Sequence, residues 1–228
     1  MNLQTIVPWG RSFEEYCAMF DLSAADLHKS ILGCGDGPAS FNAALTRQGG
    51  AVMSVDPVYQ FSAEQLRDRI HAVYSEVMGQ MAQHVSDYVW ESIPNLEALG
   101  ATRMAAMEDF LRDYDAGRSA GRYLCASLPS LPFADRQFEL ALVSHFLFLY
   151  SDHLNLQQHI DGLRELCRVA REVRVYPLLS LDGRRSPHLS GVRQVLESRG
   201  LETDLRPVRY RFQRGATEML VVRPRAGS

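Results

Sequence analysis

Three glycines at alternate positions, Gly33, Gly35 and Gly37, lie directly after a short apolar run in the stretch ILGCGDGPASF. Glycine weakens strands and helices alike, so such a cluster indicates a tight turn or a backbone that approaches a ligand closely. Asp56 follows about 20 residues later, where a second apolar run ends. A glycine turn between a strand and a helix directs backbone N–H groups at a ligand, and an acidic residue after the next strand accepts hydrogen bonds from ribose hydroxyls. The spacing therefore predicts a site for an adenosine-type ligand.

The details of the glycine pattern distinguish between classes of adenosine-type ligand. Dinucleotide sites need a small residue at the sixth position of GxGxxG, and from Gly33 that position is Pro38. The spacing GxGxG instead resembles motif I of the class I S-adenosylmethionine-dependent methyltransferases. The stretch VMSVDP looks like their second motif, and ASLPSLPFADRQFELALVSHF resembles the segment that leads into their fourth strand. The resemblance covers residues 29–58 and 123–223.

This resemblance implies an S-adenosylmethionine cofactor and methyl transfer to a small or medium acceptor. Asp56 would bind the ribose, and Arg11 would form a bidentate pair with the methionine carboxylate. Ser127 and Leu128 would lie beside the adenine. The predicted cofactor-binding residues are Arg11, Gly33, Cys34, Gly35, Gly37, Asp56, Pro57, Tyr59, Ser127, Leu128 and Ser144. A solvated Arg11 and a Tyr59 that simply packs are the alternatives for those two side chains.

Two positions differ from the family's pattern. Ile31 stands where an acidic residue usually precedes the first glycine by two positions, and Ser127 stands where an aspartate often reads the adenine amino group. Asp36 or an N-terminal residue is then expected to supply the missing contact to the methionine amino group. The departures keep a second hypothesis open, in which the domain binds the cofactor or its product S-adenosylhomocysteine without turnover.

His145 follows the predicted fourth strand, where the family places residues against the transferred methyl group. The cofactor supplies the reactivity in methyl transfer, so the protein mainly orients the acceptor. His145 is the candidate catalytic base; the alternative is a half-buried side chain between Val143 and Phe146. The sequence lacks the motif N-P-P-[YF], which disfavours DNA adenine methylation. The arginine-rich stretches GRRSPH and RPVRYRFQR are more typical of a solvated edge strand than of an RNA-binding face. An RNA-binding face would indicate an RNA methyltransferase, which is the alternative that these stretches leave open.

The elements that must position these residues alternate between strand and helix. KSILG predicts a strand, residues from about Ala39 to Gln48 a helix, and the run up to Asp56 a second strand, which together make a βαβ unit. The alternation resumes after residue 120 and ends in two β-rich runs around QRGA, which predict a hairpin. The predicted fold is α/β, a doubly wound, Rossmann-like and mostly parallel sheet. The resemblance implies seven strands, the last inserted antiparallel.

Residues 62–120 differ, because their apolar side chains recur at helical spacing. Four of the eight methionines fall here and either fill the core or form an adaptable lid over an apolar substrate. We expect a single domain over residues 1–228 with this segment as a helical insertion or cap above a small-molecule acceptor. A homodimer interface is the alternative role. The spaced residues are Leu66, Ile70, Val73, Val77 and Met81, then Arg103, Met107, Phe110, Leu111 and Tyr114.

Composition limits the possible partners and compartment. The chain has 228 residues, 46% of them hydrophobic, and a net charge of -3, which provides no general attraction for nucleic acid or acidic membranes. The four cysteines form no CxxC pair, so we expect neither a metal site nor a disulfide framework, and a reduced cytoplasmic setting. No secretory signal and no apolar run of spanning length are visible, so no membrane partner is expected.

Overall fold

The centre of the fold is one seven-stranded sheet. The structure is a computed structural model that describes residues 8–225. Its strands are β1 Ser30–Cys34, β2 Ala51–Val55, β3 Tyr123–Leu124, β4 Phe138–Ser144, β5 Ala170–Tyr176, β6 Leu201–Pro207 and β7 Glu218–Pro224. They lie in the order β3-β2-β1-β4-β5-β7-β6. Strands β1 to β5 pair in parallel, and β7 is antiparallel to both β5 and β6. The predicted doubly wound sheet with an antiparallel C-terminal hairpin is confirmed, and it is the class I methyltransferase fold.

The described residues form six α-helices, of which the first precedes the sheet and the other five connect its strands. They are α1 Phe13–Met19, α2 Phe41–Arg47, α3 Ala63–Gln83, α4 Leu96–Ser119, α5 Leu156–Val169 and α6 Leu189–Ser198. Helix α1 begins at a capping box, in which Ser12 and Glu15 exchange side-chain and backbone hydrogen bonds. The spacing S-x-x-E of these two residues is a typical sequence signal for the start of a helix.

The sheet is buried on both faces, because successive side chains of its central strands point into different cores. Ile31 packs in the core that includes α2, and its neighbour Leu32 packs in the core that includes α5. Both side chains are fully buried. This burial explains the near-continuous apolar runs of the central strands. It also places Ile31 in the interior, so this position contributes no polar group to a ligand site.

The predicted helical segment between β2 and β3 contains two long helices, α3 and α4. Helix α4 contacts α2 and β3 and so forms the crossover to β3, whereas α3 packs on α4. All ten residues predicted at helical spacing are buried. Strand β3 is short, since it pairs with β2 only through Tyr123 and Leu124. None of the helices in residues 8–225 is both long and apolar enough to cross a membrane.

Candidate functional site

A cavity of about 300 Å³ lies at the carboxyl ends of β1, β2 and β4. Doubly wound sheets bind their ligands at this edge, where the strand order reverses. The glycine turn and the strand ends form one side of the cavity. The other side comes from the segment before α1, from α3 and α4, and from the connection between β6 and β7. The cavity thus gathers parts of the chain that are far apart in sequence.

Most of the predicted site residues border this one cavity. The glycine turn contributes Cys34, Gly35 and Gly37, and the segment before α1 contributes Arg11. The residues at or after the ends of the strands that line it are Asp56, Pro57, Ser127, Leu128, Ser144 and His145. Gly33 and Tyr59, the other two predicted cofactor-binding residues, do not line it.

Gly33 is required by a neighbouring side chain. A Cβ at this position would lie 1.8 Å from Oδ2 of Asp36, so only glycine leaves room for the carboxyl. Gly35 and Gly37 have φ of +72° and +52°, values that glycine adopts without the strain other residues incur. The carboxyl of Asp36 therefore accounts for glycine at position 33 and the predicted tight turn is present, while a contact between Gly33 and the cofactor stays a prediction.

Tyr59 is buried in a third core. Its side chain is 1% exposed, and its ring packs against Phe110, Tyr114 and Tyr123. Its hydroxyl donates a hydrogen bond of 2.8 Å to the carbonyl of Gly37. Tyr59 therefore supports the glycine turn from outside the cavity, as the packing alternative predicts, and its contact with the cofactor stays a prediction.

Asp36 is the buried acidic group of the glycine turn. Its carboxyl accepts hydrogen bonds from the hydroxyls of Tyr16, at 2.9 Å, and Ser54, at 2.6 Å. Burial raises the pKa of Asp36 to about 6, although the two hydroxyls act in the opposite direction. Both Asp36 and Tyr16 line the cavity. An acidic side chain thus borders the glycine turn even though Ile31 is apolar.

Asp56 is held by two backbone N–H groups. Its Oδ2 accepts a hydrogen bond of 2.9 Å from the N–H of Gly37, and its Oδ1 one of 2.9 Å from that of Val58. Burial raises the pKa of Asp56, and these two hydrogen bonds lower it in part. Each carboxylate oxygen can accept a second hydrogen bond. The side chain is therefore fixed in position and still able to bind the two hydroxyls of a ribose.

The segment before α1 lies directly on the glycine turn. A Cβ at Gly10 would lie 2.1 Å from the carbonyl oxygen of Pro38, and the N–H of Ser40 donates to the carbonyl of Arg11 at 3.0 Å. Arg11 donates from Nη1 to the carbonyl of Trp9 at 2.6 Å. Within residues 8–225, Nε of Arg11 has no hydrogen-bond partner and its guanidinium forms no ion pair. Burial and the nearby Arg103 lower the pKa of Arg11.

A buried ion pair adjoins Arg11 and was not predicted from the sequence. Arg103 is 1% exposed and pairs through Nη1 with Oε2 of Glu15. Glu15 also accepts hydrogen bonds from the Tyr210 hydroxyl, at 2.6 Å, and the N–H of Ser12, at 2.9 Å. Burial raises the pKa of Glu15, but Arg103 outweighs it and the net shift is downward. The one signal in the sequence was a lone arginine on the apolar face of α4.

His145 lies where β4 ends, with its imidazole beside the cavity. Its φ of +52° is in the left-handed region, which costs a non-glycine residue about 1–2 kcal/mol. The backbone N–H donates to the carbonyl of Tyr176 at 2.7 Å, and Nδ1 lies 2.9 Å from the hydroxyl of Ser144. Burial, together with Arg11 and Arg103, holds the pKa of His145 well below its usual value. The ring is therefore neutral at physiological pH and available as an acceptor.

Several known proteins are similar to this chain, although no protein-family model matches it. Among solved structures, mitomycin 7-O-methyltransferase aligns over 93% of this chain with 14% identity and a TM-score of 0.49, and the chain spans 53% of its length. A putative S-adenosyl-L-methionine-dependent methyltransferase from Methanococcus maripaludis aligns over 95% of this chain and 84% of its own, with 10% identity and a TM-score of 0.49.

A curated protein is more similar in sequence. The uncharacterized protein MJ0045 of Methanocaldococcus jannaschii is 30% identical over 228 residues, which cover 98% of each chain. An alignment of this length includes the glycine turn, both long helices of the segment between β2 and β3, and the C-terminal hairpin. The chain has the class I methyltransferase fold and belongs to the same family as protein MJ0045.

Proposed function

We propose that the protein binds S-adenosylmethionine at the glycine turn and transfers its methyl group to a small or medium acceptor. One observation carries this proposal. Arg11, Asp36 and Asp56 border a single cavity at the carboxyl edge of the sheet. Arg11 is complementary to the α-carboxylate of this cofactor, and Asp36 is complementary to its α-ammonium group. Asp56 can accept hydrogen bonds from the hydroxyls of its ribose.

Each group fits its assigned part of the cofactor. Arg11 has an unpartnered Nε, and guanidinium groups bind carboxylates in a bidentate manner. Asp36 is a buried carboxyl whose present partners are hydroxyls, so an ammonium group would stabilise its ionised form. Asp56 has one accepting position left on each oxygen for the ribose. Ser127 and Leu128 line the same cavity beyond Asp56 and are assigned to the adenine.

His145 is the proposed catalytic residue. When bound, the cofactor supplies an electrophilic methyl group on a sulfonium. The protein therefore has to orient the acceptor and to accept the proton that the acceptor loses. A neutral imidazole can accept a hydrogen bond or a proton from the acceptor. The low pKa of His145 makes it a weak base. It therefore suits an acceptor whose proton is acidic or already lost.

The shape of the cavity favours an enzyme over a protein that only holds the cofactor. Its lining continues from Gly35 past His145 to Tyr88 and Phe212, so the cavity extends beyond the residues assigned to the cofactor. The arginines of the C-terminal hairpin do not favour an RNA substrate. Arg209 pairs with an aspartate at 2.9 Å, and among the described residues the arginines that line the cavity are Arg11 and Arg103.

The test is calorimetric titration with S-adenosylmethionine and S-adenosylhomocysteine, with NAD as the control ligand. We expect micromolar binding of the first two. Asp56→Asn should weaken it roughly tenfold or more, because a charged acceptor for the ribose is lost. The matched control is Asp68→Asn, which changes an exposed aspartate on α3 and should leave the affinity unchanged.

Two outcomes would contradict the proposal. A folded protein that binds neither ligand has no cofactor site, and equal affinities for Asp56→Asn and Asp68→Asn would place the ligand elsewhere. Catalysis is tested separately, by screening acceptors with methyl-labelled S-adenosylmethionine. Binding without label transfer to any acceptor class would favour the non-catalytic alternative.

A further inference from the structure

The part of the cavity beyond the glycine turn has an aromatic wall. Trp9 precedes α1, Tyr88 follows α3, and Phe212 lies in the connection between β6 and β7; all three line the cavity. The rings of Tyr88 and Phe212 stack with centroids 5.0 Å apart. Val77 and Met81 of α3 complete this wall with aliphatic groups. Such a surface favours a flat or apolar ligand body.

Arg103 is a polar group beside this wall with unused hydrogen-bonding capacity. It lies on α4, is 1% exposed and still borders the cavity. Nη1 pairs with Glu15, and Nη2 makes only a long contact of 3.4 Å to the Tyr210 hydroxyl. Within the described residues, Nε has no partner. Because a buried donor without a partner is costly, this guanidinium has an unsatisfied edge that a ligand oxygen would satisfy.

The charges around this wall are unbalanced. Two guanidinium groups, Arg11 and Arg103, adjoin the carboxylate of Glu15, which already accepts bonds from Arg103, Tyr210 and Ser12. The two arginines repel each other, since Arg103 lowers the pKa of Arg11. In the proposed function the cofactor's carboxylate neutralises Arg11, but its sulfonium adds a positive charge nearby. Because Glu15 pairs with Arg103 and the cofactor's carboxylate pairs with Arg11, the positive charge that remains uncompensated when S-adenosylmethionine is bound is that of the sulfonium.

We propose that the methyl acceptor is an aromatic carboxylate, whose ring packs against Trp9, Tyr88 and Phe212 and whose carboxylate binds to the Nε edge of Arg103. This inference rests on the proposed function, because it assigns Arg11 to the cofactor and Arg103 to the acceptor. An anion at this position would compensate the excess charge and satisfy the unpartnered donor together. The weak basicity of His145 agrees with an acceptor that is already ionised or readily loses a proton.

The test measures binding of matched acids and amides to protein saturated with S-adenosylhomocysteine, by calorimetry at pH 7.5. The probe pairs are benzoate with benzamide, phenylacetate with phenylacetamide, and hydroxybenzoates with the corresponding hydroxybenzamides. Each pair differs in charge and hardly in shape. We expect at least one acid to bind about tenfold more tightly than its amide, because a charge-assisted bidentate pair forms only with the acid.

Arg103→Lys keeps the positive charge beside Glu15, so the ion pair and the fold are retained, but it removes the planar donor edge. We expect this variant to lower the acid preference to about threefold or less. The double variant Arg103→Met/Glu15→Gln removes both charges together, which avoids a buried unpaired carboxylate, and should abolish the preference. Arg112→Lys, at an exposed position of the same helix, is the control and should keep it.

The possible failures are distinguishable. Wild-type protein that does not bind S-adenosylhomocysteine overturns the proposed function and the acceptor assignment with it. Protein that binds S-adenosylhomocysteine but binds no acid more tightly than its amide overturns the acceptor assignment alone. An acid preference that survives in Arg103→Lys and in the double variant also overturns it, because the anion would then bind at a different group.

Discussion

The carboxyl of Asp36 gives a quantitative test of how the site is built. It is 7% exposed, and its hydrogen-bond partners in the described part of the chain are the hydroxyls of Tyr16 and Ser54. Burial raises its pKa to about 6, against about 3.9 for an unfolded chain. The folded state thus holds this proton more tightly than the unfolded state. The stability it contributes is fully present below about pH 4 and is lost as the pH rises through about 6.

The size of the effect follows from the two pKa values. Relative to pH values below about 4, the raised pKa of Asp36 lowers the free energy of unfolding by about 1.5 kcal/mol at pH 5 and by about 3 kcal/mol at pH 8. Asp36→Asn removes the charge, and the hydroxyls of Tyr16 and Ser54 can each donate to or accept from the amide. We therefore expect the free energy of unfolding of the variant, relative to that of the wild type, to be about 1.5 kcal/mol higher at pH 8 than at pH 5.

The assay is urea unfolding of wild type and variant at both pH values, compared through their midpoints and slopes. Asp68→Asn, which changes an exposed aspartate on α3, should show no pH-dependent difference. The same Asp36→Asn protein should bind S-adenosylhomocysteine about tenfold more weakly or worse, since it lacks the charge assigned to the α-ammonium group. A stability difference that is equal at pH 5 and pH 8 would refute the reasoning, because Asp36 would then not be a buried carboxyl with a raised pKa.

Three further predictions concern the same turn. The affinity for S-adenosylhomocysteine should fall about tenfold from pH 7.5 to pH 5, since Asp36 with a pKa of about 6 must lose its proton to bind an ammonium group; a flat profile in calorimetry at the two pH values would contradict this. Arg11→Met should weaken the affinity for S-adenosylhomocysteine about tenfold or more, because the pair with its carboxylate is lost. The melting temperature should stay the same or rise, because the buried guanidinium lacks an ion-pair partner among the described residues. An unchanged affinity would show that Arg11 does not bind the ligand. Gly33→Ala should lower the melting temperature, because its Cβ would lie 1.8 Å from the carboxyl of Asp36. The control Gly79→Ala on α3 meets nothing within 4 Å and should stabilise the helix by about 1 kcal/mol. Equal melting temperatures for these two variants would show that the carboxyl can move away.

Much of the fold could be predicted from the sequence, because the signals that form helices and strands are local. The capping box of Ser12 and Glu15 marks the start of α1, and a buried side chain every three to four residues identifies α3. The spacing from the glycine turn to Asp56 reflects one βαβ unit, so it placed Asp56 at the edge of the sheet where the cavity lies.

The direction of individual side chains was not predictable from such signals. Gly33 and Tyr59 both belong to the predicted motifs, yet Gly33 faces the carboxyl of Asp36 and Tyr59 packs among aromatic rings outside the cavity. Local spacing indicates that a turn needs glycine. It does not indicate whether a ligand or another side chain occupies the space beside that glycine. Packing of the completed fold decides that, since it determines which face of the turn is filled.

The sequence by itself determined the order of strands and helices, the glycine turn and the acidic residue after β2, because each depends on residues close together in the chain. Only the tertiary structure decided which charges share the cavity. Tyr16 and Asp36 are 20 residues apart, and Glu15 and Tyr210 are 195 residues apart, before folding brings each pair within hydrogen-bond distance. Contacts of that separation depend on how whole elements pack, so the arrangement of Asp36, Arg11 and Arg103 appears only once the helices are placed on the sheet.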